Sequence, residues 1–225
     1  MNIFLKIFFF YIVLSLFSCA NKVVHEDQRL GVEYYVRYLE PEGKIRVEAT
    51  FYERDSLRKK KIEVEKVYFQ EEPLNVQALR AHGSRYQFEQ KSAYPEMFNF
   101  KFIDNQGKSH LHESKMDPIL LFSLRDRISK TQDMTLQWEG APLLQGESIV
   151  LLFSDKEEKV VSYTHKGPTT TNTIQIPGKS INELSNGEGK LYLVKKRLFK
   201  AFENKNYVQT LTEFYTKFIT IDIKE

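Results

Sequence analysis

The stretch IRVEATFYE, residues 45–53, alternates without a break. Ile45, Val47, Ala49 and Phe51 share one face, and Arg46, Glu48, Thr50 and Tyr52 share the other. Successive side chains of an extended strand point to opposite faces of a sheet, so a period of two marks a half-buried strand. The pattern recurs. MFNFKFID puts Phe98, Phe100 and Phe102 on one face, and FITIDI near the C-terminus sets Phe218, Thr220 and Asp222 against Ile219, Ile221 and Ile223. VEYYVRYL, residues 32–39, is rich in β-formers and runs into Pro41-Glu42-Gly43. That turn signal predicts a hairpin with residues 45–53.

IEVEKVYFQ, residues 62–70, alternates too, but its apolar phase slips between Val64 and Val67. This predicts a bulge or a strand buried on both sides. PILLFSL, residues 118–124, is apolar on both sides and reads as a core strand. Residues 134–138, 147–154 and 159–165 read as three strands, and TTTNTIQIP as another, stopped by Pro177-Gly178. INELSNGEG reads as one helical turn crossing between sheets, and LFKAFENKNY, residues 198–207, is the remaining helix candidate. RDRISKTQD, residues 125–133, is polar, lacks the period of two and divides two β-rich halves. Strands spaced about 8–12 residues apart, with turns between them and no long helical period, predict an all-β chain of two β-sandwiches. The expected bounds are 30–127 and 130–225. The second half resembles the immunoglobulin-like domains common in Bacteroidota lipoproteins. LQWEGAPL…GESIVLLFSD, TIQIP…INELSNGEGKLYL and the last strand carry the resemblance. It implies tandem Ig-like antiparallel sandwiches, and those domains share no single activity. The paired cysteines around a tryptophan that mark true Ig domains are missing, because the chain has one cysteine.

That cysteine follows an export signal. Lys6 supplies a positive start, and residues 7–17 are apolar apart from Ser15. As a helix this run spans about 17 Å, short of the ~30 Å hydrocarbon core, so residues 1–18 are expected to be a cleaved signal peptide. Leu16-Phe17-Ser18-Cys19 resembles a lipobox, the signal of bacterial lipoproteins. The resemblance implies that the Cys19 thiol carries a diacylglyceryl group and that cleavage leaves Cys19 first. A thiolate suits this chemistry because it is a far better nucleophile near neutral pH than a hydroxyl. Acyl burial then contributes about 0.8 kcal/mol per CH₂. A lone cysteine cannot form an intrachain disulfide, which agrees with lipidation. Residues 19–29 are expected to be the lipidated tether. Ala20 stands where an Asp resembles the inner-membrane retention signal of enteric bacteria. The outer membrane is therefore the expected location, with periplasmic and surface faces both open. Glu26-Asp27 lies late for a surface-export run.

Formal charge is +3, falling to +2 once Lys6 is cleaved away, with both signs mixed along the chain. No strong field recruits nucleic acid. No nucleophile elbow, phosphate-cradling glycine loop or His-Glu-x-x-His is present. His110-Leu111-His112-Glu113 is the metal candidate, since residues two apart on a strand share a face. With no third ligand near in sequence, solvated strand residues and no metal are expected. No two of the many carboxylates stand out as a catalytic pair. RKKK, residues 58–61, reads as a solvated turn or strand edge, with anionic lipid or glycan contact as the alternative. Trp138 shares a face with Met134 and Leu136, opposite Thr135 and Gln137, and is expected in the core. Tyr34, Tyr35, Tyr38 and Tyr52 are either structural or a sugar-stacking platform. The expected function is that of a lipid-anchored cell-envelope module that binds or scaffolds a protein partner, without catalysis or cofactor. The alternative is a glycan-binding lipoprotein of an outer-membrane uptake system, and a hydrolase is the least favoured reading.

Overall fold

The computed structural model describes residues 30–54, 59–79, 83–125 and 128–225. The export signal, Cys19, the tether and Arg58 lie outside the described residues. Strand β1 (Leu30–Leu39) runs through a 3-10 turn (Glu40–Glu42) and Gly43, at φ 57, into β2 (Lys44–Arg54). The two form the expected antiparallel hairpin, and Ile45, Val47, Ala49 and Phe51 all point into the core. Then come β3 (Lys59–Ile62), β4 (Lys66–Phe69), β5 (Glu72–Pro73), β6 (Asn75–Leu79), β7 (Gly83–Lys91), β8 (Phe98–Ile103) and β9 (Ser109–Ser114). One sheet includes β6, β7, β2 and β1, with β3 beside β2, and the other has the order β5-β4-β8-β9. The slip between Val64 and Val67 is neither a bulge nor a two-sided strand. It is where the chain leaves β3 on one sheet for β4 on the other, and both valines are buried in passing. The first core is aromatic, with Tyr34, Phe51, Phe69, Tyr86, Phe98, Phe100 and Phe102 among its members.

The second half adds β10 (Phe122–Leu124), β11 (Ile128–Ser129), β12 (Met134–Trp138), β13 (Glu147–Asp155), β14 (Val160–Lys166) and β15 (Thr173–Ile176). A 3-10 turn (Gly178–Ile181) leads to β16 (Gly187–Glu203), β17 (Asn206–Tyr215) and β18 (Ile219–Lys224). Sheet β10-β12-β15 packs on a sheet containing β14, β13, β16, β18 and β11. Between them Trp138 is buried with Leu136, Phe153 and Leu191, and its indole N–H donates to the Ala141 carbonyl at 3.0 Å. Of residues 118–124, only Phe122–Leu124 is strand. The apolar run is not a core strand because it links the two sandwiches. Ile119 turns into the second core, while Leu120 and Leu121 stay exposed.

The two halves share a sheet. At about 3.3 Å per residue, the 17 residues of β16 span roughly 55 Å, more than one sandwich needs. Residues 187–197 lie in the second sandwich against β13 and β18. The strand then runs on, turns at Asn204 and Lys205 (φ 48 and 71) and returns as β17. Strand β17 pairs in parallel with β1, residues 207–215 against 31–39. Residues 198–207 are therefore the tip of a β-hairpin rather than a helix. The hairpin crosses the 127/130 boundary, and Val208 and Phe214 belong to the first core. Where the halves meet, Lys195, buried and ion-paired with Glu147 (3.1 Å) in the second sandwich, also donates from Nζ to the Asp117 carbonyl of the linker at 3.0 Å. The Tyr94 hydroxyl holds the Met116 carbonyl at 2.7 Å, and the Arg197 guanidinium holds that of Lys115.

Residues 30–127 expressed alone lack β17, and they are expected to show neither dispersed amide resonances nor a cooperative melt. In the whole chain, Phe214→Ala is expected to cost about 3–5 kcal/mol in denaturant unfolding. A cooperatively folding 30–127 fragment would show that the hairpin is dispensable.

Candidate functional site

Strand β9 pairs with β8 so that Ser114, His112 and His110 stand opposite Phe98, Phe100 and Phe102. The pleat sends this whole row inward. His110 and His112 are buried, at 8% and 4% exposure, rather than solvated as the sequence led us to expect. The reason is the hairpin tip. His112 Nδ1 lies 2.9 Å from the Glu203 carboxylate, which only accepts when ionised, so Nδ1 is the donor. Its Nε2 then accepts from the Thr210 hydroxyl at 2.7 Å. Asn206 Oδ1 accepts the Leu30 backbone N–H at 3.3 Å, which turns Nδ2 toward His110 Nδ1 at 3.2 Å. His110 Nε2–H therefore donates to Asp104 at 2.8 Å. All four ring nitrogens are engaged, leaving no lone pair for a metal ion. Among the described residues no three His, Cys, Asp or Glu side chains converge on such a site.

The His110–Asp104 pair borders a cleft of about 310 Å³ at the end of the first sandwich, lined also by Leu30, Glu63, Lys108 and Asn206. A His–Asp pair in a concave site is one arrangement a hydrolase can use, but the described residues lining this cleft include no Ser, Thr or Cys. The second nitrogen of His110 faces an amide, and the Ser84 hydroxyl at the far strand donates to Glu63. Asp104 also accepts the backbone N–H groups of Gln106 and Lys108, closing the β8–β9 turn. Burial pushes its carboxyl up, but these bonds and that of His110 outweigh it and hold the pKa below the ordinary value.

The tyrosines separate by face. Tyr34 and Tyr38 point into the first core. Tyr52 is buried over Gly31, where a Cβ would sit 2.0 Å from its ring. None of the three can stack on a sugar. Tyr34 stacks on both Phe100 (4.0 Å) and His112 (5.4 Å), which also meet each other at 5.9 Å. Its hydroxyl is buried with no partner among the described residues. Burial first, then the Glu203 charge, pushes this phenol well above its ordinary range. Tyr35 faces the other way. Its hydroxyl donates to Glu213 at 2.7 Å, as does that of Tyr215 at 3.0 Å, and Lys196 pairs with the same carboxylate at 2.8 Å. The Arg37 guanidinium lies over both rings, 5.4 and 5.3 Å from their centroids. Burial pushes the Glu213 carboxyl up, but Lys196 and Tyr35 hold its pKa below the ordinary value.

Sequence reasoning missed a third feature. Leu120, Leu121 and Phe218 are 62, 61 and 56% exposed, and they line one groove of about 140 Å³ with the half-buried Phe122 and Ile219. The groove lies at the seam of the two sandwiches. Consecutive leucines on a linker carry no period, so only the fold reveals which side they face.

No family model and no curated protein matches the chain. Among solved structures, a cytokine receptor complex is 13% identical, with TM-score 0.35, covering 84% of this chain and 95% of that one. A tetra-tandem repeat from the extending region of a large adhesion protein is 9% identical, with TM-score 0.28, over 86% and 49%. The SGBP-B protein of a Bacteroides ovatus mixed-linkage glucan utilization locus, solved with a mixed-linkage heptasaccharide, is 10% identical, with TM-score 0.22, over 85% and 62%.

Tyr34→Phe removes the orphaned hydroxyl and is expected to leave stability unchanged or raise it by about 1 kcal/mol. His112→Ala strands Glu203 and Thr210 and is expected to lower it by about 2 kcal/mol or more. Urea titrations of the two variants distinguish these outcomes from equal losses. Glu213 has a lowered folded pKa, so its contribution is present at neutral pH. It is lost as pH falls below about 4 toward the folded value. Melting temperature followed between pH 7 and 3 should therefore drop less in Glu213→Gln than in the parent.

Proposed function

We propose that this chain is a lipid-anchored cell-envelope protein that binds or scaffolds a protein partner without catalysing a reaction. The Leu16–Cys19 pattern supports the anchor. The seam groove supports the partner, and it is the observation that carries this reading. Three large apolar side chains more than half exposed on adjoining segments form the kind of surface that marks an interaction site in a soluble body. The groove lies beside β16, the strand both halves share, where its lining residue Thr216 donates a backbone N–H to the Leu193 carbonyl, so a docked segment meets a preformed surface. The outer edge of β14, which among the described residues pairs only with β13, adds a row of backbone groups open to strand addition. The His110–Asp104 pair, with both ring nitrogens of His110 engaged and no Ser, Thr or Cys among the described residues of its cleft, supports a non-catalytic role.

The test is affinity capture from detergent-solubilised envelopes with the parent and with Leu120→Asp/Leu121→Asp. Both sites are exposed, so circular dichroism and melting should not change. The reading expects one protein retained by the parent and lost, by about tenfold or more, from the double variant. Equal recovery on both, or no specific protein on either, removes the groove as the working surface.

A further inference from the structure

The described chain begins at Leu30, and Leu30 sits at one end of the largest sheet. Register places five strands side by side there. Lys61 of β3 stands opposite Tyr52 of β2, Tyr52 opposite Gly31 of β1, Gly31 opposite Tyr207 of β17, and Tyr207 opposite Phe202 of β16. Residues paired this way share a sheet face. The outer face therefore ends in an aromatic row, Tyr52, Tyr207 and Phe202, with Tyr52 folded over Gly31. Phe202 is 68% exposed and meets Tyr207 edge-on, at 5.4 Å and 60°. Rings at that angle offer no flat platform for a sugar.

Lysines surround the row. Lys60, Lys61 and Lys200 are exposed on β3 and β16, and Lys108 is exposed on the β8–β9 turn beside Leu30. The described acids at this end are turned inward or already have a partner, Glu33 on β1 among them. Glu53 pairs with Lys60 at 3.7 Å, Asp104 with His110, Glu203 with His112, and Glu63 accepts from Ser84. Among the described residues, Lys61, Lys108 and Lys200 have no acidic partner.

We infer that this end of the first sandwich is a bilayer-contact surface for anionic phospholipid, with Phe202 and Tyr207 entering the headgroup region and the lysines meeting the negative charge. The orientation rests on the anchor reading above. If Cys19 carries the lipid, the chain can separate Leu30 from it by at most about 40 Å, so the end that bears Leu30 is held near the membrane. Tethering makes the surface encounter intramolecular, and contacts too weak to bind from solution then suffice. Aromatic residues with one apolar and one polar end favour the interface, and each lysine near an anionic surface strengthens binding about fivefold.

The protein purified from native membranes decides the matter. Its mass reports whether Cys19 is lipidated, which tests the anchor by itself. Reconstituted on vesicles of phosphatidylcholine, with or without phosphatidylglycerol, it is then followed by amide hydrogen exchange. The surface inference expects the ends of β3, β16 and β17 to be slowed several-fold on phosphatidylglycerol vesicles alone. The slowing should disappear in high salt, in Lys61→Glu/Lys200→Glu and in Phe202→Ser. All three sites are exposed, so unchanged melting of the variants serves as the folding control. Equal exchange on both vesicles overturns the surface even when Cys19 is lipidated. An unmodified Cys19 with phosphatidylglycerol-dependent slowing overturns the anchor and leaves the surface standing.

Discussion

The parallel pairing of β1 with β17 is the contact on which the architecture depends. Strand β1 has β2 on one side and would otherwise present a bare edge on the other. Strand β17 fills that edge along residues 31–39 and brings Val208 and Phe214 into the first core. Because β17 is also hydrogen-bonded to β16, and β16 to β13, one continuous ladder runs through both sandwiches. A flexible linker would leave two such bodies free to rotate. Here the linker is itself held, by donors from Lys195, Tyr94 and Arg197 to three successive carbonyls. Surfaces lying across the seam therefore keep a fixed geometry.

The polar interior of the first sandwich belongs to the same contact. His110, His112, Glu203, Asn206 and Thr210 come from strands distant in sequence and meet only when the hairpin is docked. Burying such groups costs stability unless each finds a partner, and here each does. A slip of one residue between β17 and β1 would turn Thr210 away from His112 and leave both unsatisfied. The network thus supplies register where an aromatic core alone would accept several alignments.

Where one face of a strand meets the core and the other meets water, the sequence announces it. Strands β2, β8, β12 and β13 alternate cleanly and were readable as such, including the inward aim of Trp138. Reading failed wherever the partner was distant or the chain changed layers. The apolar slip between Val64 and Val67 marked a crossing between sheets, a distinction that local pattern cannot make. LFKAFENKNY mimics a short helix because inward and outward residues at the hairpin tip are both partly apolar. The two histidines looked solvated because imidazole is polar, and the groups that bury them arrive some ninety residues later. The candidate surfaces were less legible still. The RKKK run was visible in sequence, but Phe202 and Tyr207 join its Lys61 only through five strands in register, and the seam groove needs the linker and Phe218 together.

The distance along the chain between β1 and its neighbour has a further consequence. Gly31 waits for Tyr207, 176 residues downstream. Contacts so remote form late, since the loop must close before any ladder bond rewards it. The amino-terminal half therefore stays incomplete until nearly the whole polypeptide has been made. A protein built this way remains slack for as long as its last two strands are withheld, and a translocation pore that accepts only unfolded chains would find it ready to thread.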